Sequence, residues 1–163
     1  MSHRSRRRNR TLMAAVALTA CMVLAAVGIA AATPPGGTST AVVLADGNTA
    51  NSVNINIDPT KLRTKDSVEV FQVSQTAAAG FTSGWHKHAG PTIVNITAGS
   101  LTFYEADCTT TTVTAPGAYI ETTAQPILAR NEGTTGAAWV TTQILPVGAS
   151  RRIDVDPGFC GVS

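Results

Sequence analysis

His86 and His88 are two of the three histidines in the chain and stand one residue apart, within the stretch GFTSGWHKHAGPTIVNITAG over residues 80–99. On an extended strand, residues two apart project to the same side. The two imidazoles would then aim at one point, with Lys87 turned away. Two ring nitrogens converging on one point begin a site for a divalent transition metal. The same pair also reads as two ordinary polar side chains at the end of a strand, and the short spacing leaves both readings open. No other constellation competes with it. The G-x-S-x-G elbow of a serine nucleophile is missing. Glu105 and Glu121 read either as a carboxylate pair or as solvated strand residues, and no spacing marks them for acid–base work.

The elements that would position the histidines are short strands. Residues 52–57 alternate Val53, Ile55 and Ile57 with Asn54 and Asn56, the period of a half-buried strand. Residues 67–75 alternate again. Residues 41–45 form a short apolar strand closed by Asp46-Gly47. Residues 92–97 and 101–105 read as two arms of a hairpin around Ala98-Gly99-Ser100. Further strands are expected at 109–114, 118–121, 127–130 and 137–145, separated by turns at Pro116-Gly117 and Asn131-Glu132-Gly133. Trp85 and Trp139 read as packing residues. Residues 151–160 are a mixed-charge tail. Nothing after residue 32 has convincing helical periodicity. Many short strands with Gly/Pro turns make an all-β sandwich or barrel.

Gly80, His86, His88, Thr92 and Gly99 follow the spacing G-x5-H-x-H-x3-T-x6-G. This resembles the first motif of the cupin family, G-x5-H-x-H-x3,4-E-x6-G, with Thr92 where a glutamate usually stands. The second cupin motif, G-x5-P-x-G-x2-H-x3-N, is similar to the region from Pro116-Gly117 to Asn131, with Ile127 in place of its histidine. The resemblance covers residues 68–145. It implies a cupin-type (RmlC-like) jelly-roll barrel over residues 41–163, with His86 and His88 pointing inward. It implies a metal held by three histidines and a glutamate, of which only His86 and His88 are present here. The metal would be Mn, Fe, Ni or Zn. Thr92, Tyr119, Gln125 and Ile127 are the pocket candidates, and Glu105, Tyr119 or Gln125 would complete the site only if turned inward, where nothing in the sequence places them. By analogy with the family a homodimer is expected.

The first ten residues carry five arginines, followed by an apolar run over residues 12–32 and by Thr33-Pro34-Pro35-Gly36-Gly37. A basic start, an apolar middle and a small-residue end make a secretory signal, with cleavage expected after Ala32. The alternatives are an uncleaved membrane anchor and lipidation at Cys21, although the apolar run continues well past that cysteine. Residues 33–40 would be a flexible linker. Removing residues 1–32 takes away five of the twelve Lys and Arg and none of the ten Asp and Glu, so the remaining domain is acidic. A nucleic-acid partner is excluded on that ground, and the membrane is met only through the amino-terminal segment. Cys108 and Cys160 remain; an even pair in an oxidising compartment reads as a disulfide, the alternatives being free thiols or Cys108 as a ligand.

Three functions follow. One is an exported cupin that binds an unidentified small molecule in its barrel, with a partial metal site at His86 and His88. The second is a metal-dependent cupin enzyme of oxygenase or isomerase type, which needs a ligand the sequence does not reveal. The third is a structural, envelope-associated domain.

Overall fold

A computed structural model of the chain describes residues 34–121, 125–156 and 159–162. The expected signal segment over residues 1–32, with its cleavage at Ala32 and its alternatives at Cys21 or as an anchor, lies outside the described residues. The described residues are all-β and contain no helix.

Twelve strands follow in order: β1 (Ser39–Asn48), β2 (Asn54–Ile57), β3 (Thr60–Arg63), β4 (Val68–Ala77), β5 (His86–Lys87), β6 (Thr92–Ala98), β7 (Ser100–Glu105), β8 (Thr110–Thr114), β9 (Gly117–Glu121), β10 (Ile127–Arg130), β11 (Ala137–Pro146) and β12 (Ile153–Asp154). They form two five-stranded sheets, β1-β4-β11-β6-β9 and β12-β5-β10-β7-β8, and a separate β2-β3 hairpin. All strand pairs are antiparallel. The cores of the two sheets, β4-β11-β6-β9 and β5-β10-β7-β8, have the strand order of a jelly roll, in which the chain crosses between the sheets at nearly every step.

β11 shows why these residues build a wall of the barrel. Ala137, Trp139, Thr141, Gln143 and Leu145 are buried, and the residues between them are not. One face of a two-period strand therefore lines the interior. Val94 and Ile96 of β6, Leu101 and Phe103 of β7 and Ile127 and Ala129 of β10 meet that face in one apolar cluster with Phe81. Trp85 is fully buried, and its Nε1–H donates to the carbonyl of Val162 at 2.7 Å.

Several sequence expectations change. Residues 92–97 and 101–105 are not a hairpin. β6 is paired on both edges by β11 and β9, and β7 by β10 and β8, so neither has an edge left for the other. Gly99 is the corner between sheets, with φ +67° and space so tight that a Cβ would stand 2.6 Å from the carbonyl oxygen of Gly136. β1 runs past Asp46-Gly47 to Asn48. The expected linker over 33–40 is partly fixed, because Gly36 exchanges backbone hydrogen bonds with Thr82 and β1 begins at Ser39. The strand over 52–57 is not half-buried: β2 pairs only with β3 and leaves Ile55 and Ile57 exposed. Within the tail, Ile153 and Asp154 pair with β5. Cys108 and Cys160 form a disulfide, with Cα atoms 5.4 Å apart.

Candidate metal centre

β5 carries His86, and His88 follows directly after its last residue, so both rings border one cavity. The ring centroids of His86 and His88 are 4.9 Å apart. Their δ-nitrogens face main-chain carbonyls, 2.8 Å from Gly84 O for His86 and 2.5 Å from Arg151 O for His88. A carbonyl only accepts, so each Nδ1 carries a ring proton, and in the neutral ring Nε2 is the lone pair. His86 is 5% exposed. Burial, and then the Arg152 guanidinium, lower its pKa to about 4, against a smaller opposing pull from Glu121. The ring is therefore neutral over the physiological range, the state in which imidazole binds metal.

The third group is Glu121, at the end of β9. It is 5% exposed, and its Oε2 approaches His88 Nε2 to 2.9 Å. That approach lacks hydrogen-bond alignment, and Oε2 has no hydrogen-bond partner at all. A buried carboxylate oxygen without a partner is costly unless a cation meets it. Donor atoms of His86, His88 and Glu121 lie within 4.8 Å of one another. Two donors at about 2.1 Å from a common ion and at right angles around it are about 3 Å apart, so the 2.9 Å spacing suits a shared ion. Two imidazoles and one carboxylate are a donor set for a divalent transition metal.

Register explains where the carboxylate comes from. Thr92 of β6, the position of the expected glutamate, pairs directly with Glu121 of β9 and on its other side with Gln143 of β11. The acid thus stands one strand over from the expected place. Thr92 itself is fully buried, with its hydroxyl 3.4 Å from the Gly90 carbonyl, and does not line the cavity beside the histidines. Ile127 pairs with His86 across β10 and β5 and packs in the apolar core. Tyr119, Gln125 and Ile127 lie together with Glu105 at a separate small pocket. Tyr119 donates to Glu105 at 2.6 Å and stacks on Phe103; burial, and then that hydrogen bond, raise its pKa. Of the sequence-derived pocket residues, none borders the histidine cavity.

That cavity has a volume of about 280 Å³ and is bordered by His86, His88, Glu121 and Gln143, by apolar side chains such as Phe71, Phe103 and Trp139, and by Arg151 and Arg152. Arg151 donates to Glu69 at 2.8 Å and to Asp46 at 2.5 Å and lies over the Phe71 ring. Arg152 donates to Asp154 and to the Ser83 carbonyl. Gln75, which borders the cavity, accepts at Oε1 from Trp139 Nε1–H and from the Thr141 hydroxyl.

Similar solved structures include a cupin-like protein from Thermotoga maritima, with 11% identity over 53% of this chain and 65% of that one and a TM-score of 0.48. Another is a cupin superfamily protein from Desulfitobacterium hafniense, with 11% identity, 66% and 78% coverage and a TM-score of 0.48. A third is a predicted oxalate decarboxylase from Thermotoga maritima, with 18% identity, 50% and 82% coverage and a TM-score of 0.42. The chain thus spans just under two thirds of the cupin-like Thermotoga protein. No protein-family model matches the sequence, and no curated protein matches it. The strand order β4-β11-β6-β9 over β5-β10-β7-β8 decides the architecture. The fold is a jelly-roll barrel.

In this barrel, sequence reasoning weighed Glu121 only as a carboxylate paired with Glu105 or as a solvated strand residue, and did not single out Gln143 or Arg151. Glu121 hides because β9 inverts the usual pattern: Ile120 is exposed and Glu121 is buried. The signal that could have found it is the phase of Tyr119, whose large ring belongs inside and carries residue 121 with it. Gln143 was legible in the same way, lying in phase with Trp139 and Leu145.

Proposed function

We propose that this chain is an exported cupin-type protein that holds a divalent transition metal, Mn, Fe, Ni or Zn, at His86, His88 and Glu121, and that it acts there as a metal-dependent enzyme on a small molecule. The observation that carries this reading is the orphaned Glu121 Oε2, buried beside two imidazoles whose Nδ1 atoms are committed to main-chain carbonyls. A bound metal supplies Lewis acidity or oxygen activation, since three protein donors leave coordination positions open. The chain's residues do the rest. Gly84 and Arg151 carbonyls fix the rings, Glu121 offsets one positive charge, and Phe71, Phe103 and Trp139 exclude water and take an apolar body. The Gln75 side chain, held by Trp139 and Thr141, borders the same cavity. Oxygenase or isomerase chemistry suits such a centre.

Ile127 beside His86 favours a second reading, a small-molecule binder without catalysis, because it keeps the site at fewer ligands than the family pattern implies. Export is supported by the basic and apolar amino-terminal segment and by the Cys108–Cys160 disulfide, a bond of oxidising compartments.

The test is metal analysis of the mature domain, made without a histidine tag and soaked separately in Mn, Fe, Ni and Zn. About one ion per chain is expected, lost in His86→Ala and in Glu121→Ala. A wild-type domain that stays metal-free sinks the proposal. A metal-loaded domain that binds small molecules and turns none over supports the second reading. Mass measurement on material from the native host reports cleavage after Ala32, lipidation at Cys21 or an intact anchor.

A further inference from the structure

We infer that Gln143 supplies a fourth, amide-oxygen ligand to the metal centre, so that the site is built from the histidine pair at β5 and one in-register row of oxygen donors. The inference rests on the metal reading above and adds a ligand that the histidine motif does not contain.

Gln143 is 4% exposed and borders the same cavity as His86, His88 and Glu121. Its amide nitrogen donates to the Arg151 carbonyl at 3.1 Å and lies 2.8 Å from His88 Nδ1. That carbonyl also accepts the His88 Nδ1–H. With the nitrogen on that carbonyl, Oε1 is the end of the amide left to face a ligand. Oε1 is buried and has no hydrogen-bond partner. It and Glu121 Oε2 are the two orphaned buried side-chain atoms among the described residues. Both belong to one row across the sheet, Gln143 on β11, Thr92 on β6 and Glu121 on β9, all paired in register and buried on the inner face. Two unpartnered oxygens on the flanks of one row, both on residues that border the histidine cavity, share one explanation. A divalent cation satisfies both. The donor set becomes two imidazoles, a carboxylate and an amide oxygen, harder than the family's three imidazoles and a carboxylate.

Binding of Mn(II), followed by its electron paramagnetic resonance signal on the metal-stripped wild-type domain and on two variants, separates a ligand from an anchor. Gln143→Leu removes both the oxygen and the nitrogen and is expected to weaken Mn(II) binding about tenfold or more. Gln143→Glu keeps an oxygen, gains a charge and loses the hydrogen bond to the Arg151 carbonyl. It is expected to bind Mn(II) at least as tightly as wild type. Equal weakening in both variants makes Gln143 an anchor for the carbonyl and overturns the ligand assignment, as does wild-type affinity in Gln143→Leu. If Gln143→Leu does not fold, Gln143→Glu decides alone: weaker binding overturns the assignment and tighter binding supports it. A wild-type domain that takes up no metal overturns the metal reading and this ligand with it, whereas failure confined to the Gln143 variants leaves the three-residue centre standing.

Discussion

Glu121 is the residue on which the chemistry turns, and its orphaned oxygen gives the sharpest prediction. Glu121→Ala removes the only carboxylate of the three-residue group, so metal affinity should fall by two orders of magnitude or so, about 3 kcal/mol. Because Thr92 is its register partner on the same face, Thr92→Glu in that background should restore much of the binding. Isothermal titration with Zn or Mn on the single and double variants checks both; no recovery in the double variant means the carboxylate cannot serve from β6. His86 carries a second prediction, for the metal-free domain. Its pKa is about 4 in the folded state against 6.5 for an unperturbed ring, chiefly through burial. Between those values the unfolded chain binds the proton and the folded chain does not, so stability is present above pH 6.5 and is lost as pH falls towards 4. The slope is at most about 1.4 kcal/mol per pH unit. Denaturant titrations from pH 7 to pH 4.5 should show this slope in wild type and a shallower one in His86→Gln. Parallel curves would show that His86 does not titrate as described.

At the scale of elements, the path from β5 to β6 is held by Gly90. A Cβ there would stand 1.9 Å from the carbonyl oxygen of Ile144 on β11. The connection that carries His88 therefore lies directly on the β11 backbone, and only a missing side chain permits it. Gly90→Ala should destabilise the domain by more than about 2 kcal/mol, measured by chemical denaturation. It should also weaken metal binding, because relief of the clash displaces His88 from the Arg151 carbonyl. Unchanged stability would mean that the β5–β6 connection has slack. At this scale much was legible in advance. Residues 92–97 and 137–145 read as strands, Trp139 read as a packing residue, and the histidine spacing put both rings on one side. The pairing of strands was not legible. Residues 92–97 and 101–105 look like a hairpin because a glycine turn joins two β-prone runs, yet each strand finds both partners elsewhere.

For the molecule as a whole, the disulfide and the tail close the barrel near the site. Cys108–Cys160 spans 52 residues, and the segment it holds places Phe159 5.1 Å from the Trp85 ring and brings the Val162 carbonyl to the Trp85 indole, next to His86 in sequence. Replacing both cysteines by serine should cost about 2–5 kcal/mol and change the Trp85 fluorescence. A double variant as stable as wild type, with unchanged emission, would make the tail dispensable. By itself the sequence determined the all-β class, the strand periods, the histidine pair and the cysteine pair, because side-chain alternation and residue type are local properties of the chain. Only the tertiary structure decided that Glu121 and Gln143 border the histidine cavity and that Thr92, Ile127, Tyr119 and Gln125 do not. Those assignments depend on register between strands distant in sequence, where a shift of one residue turns every side chain to the opposite face of the sheet.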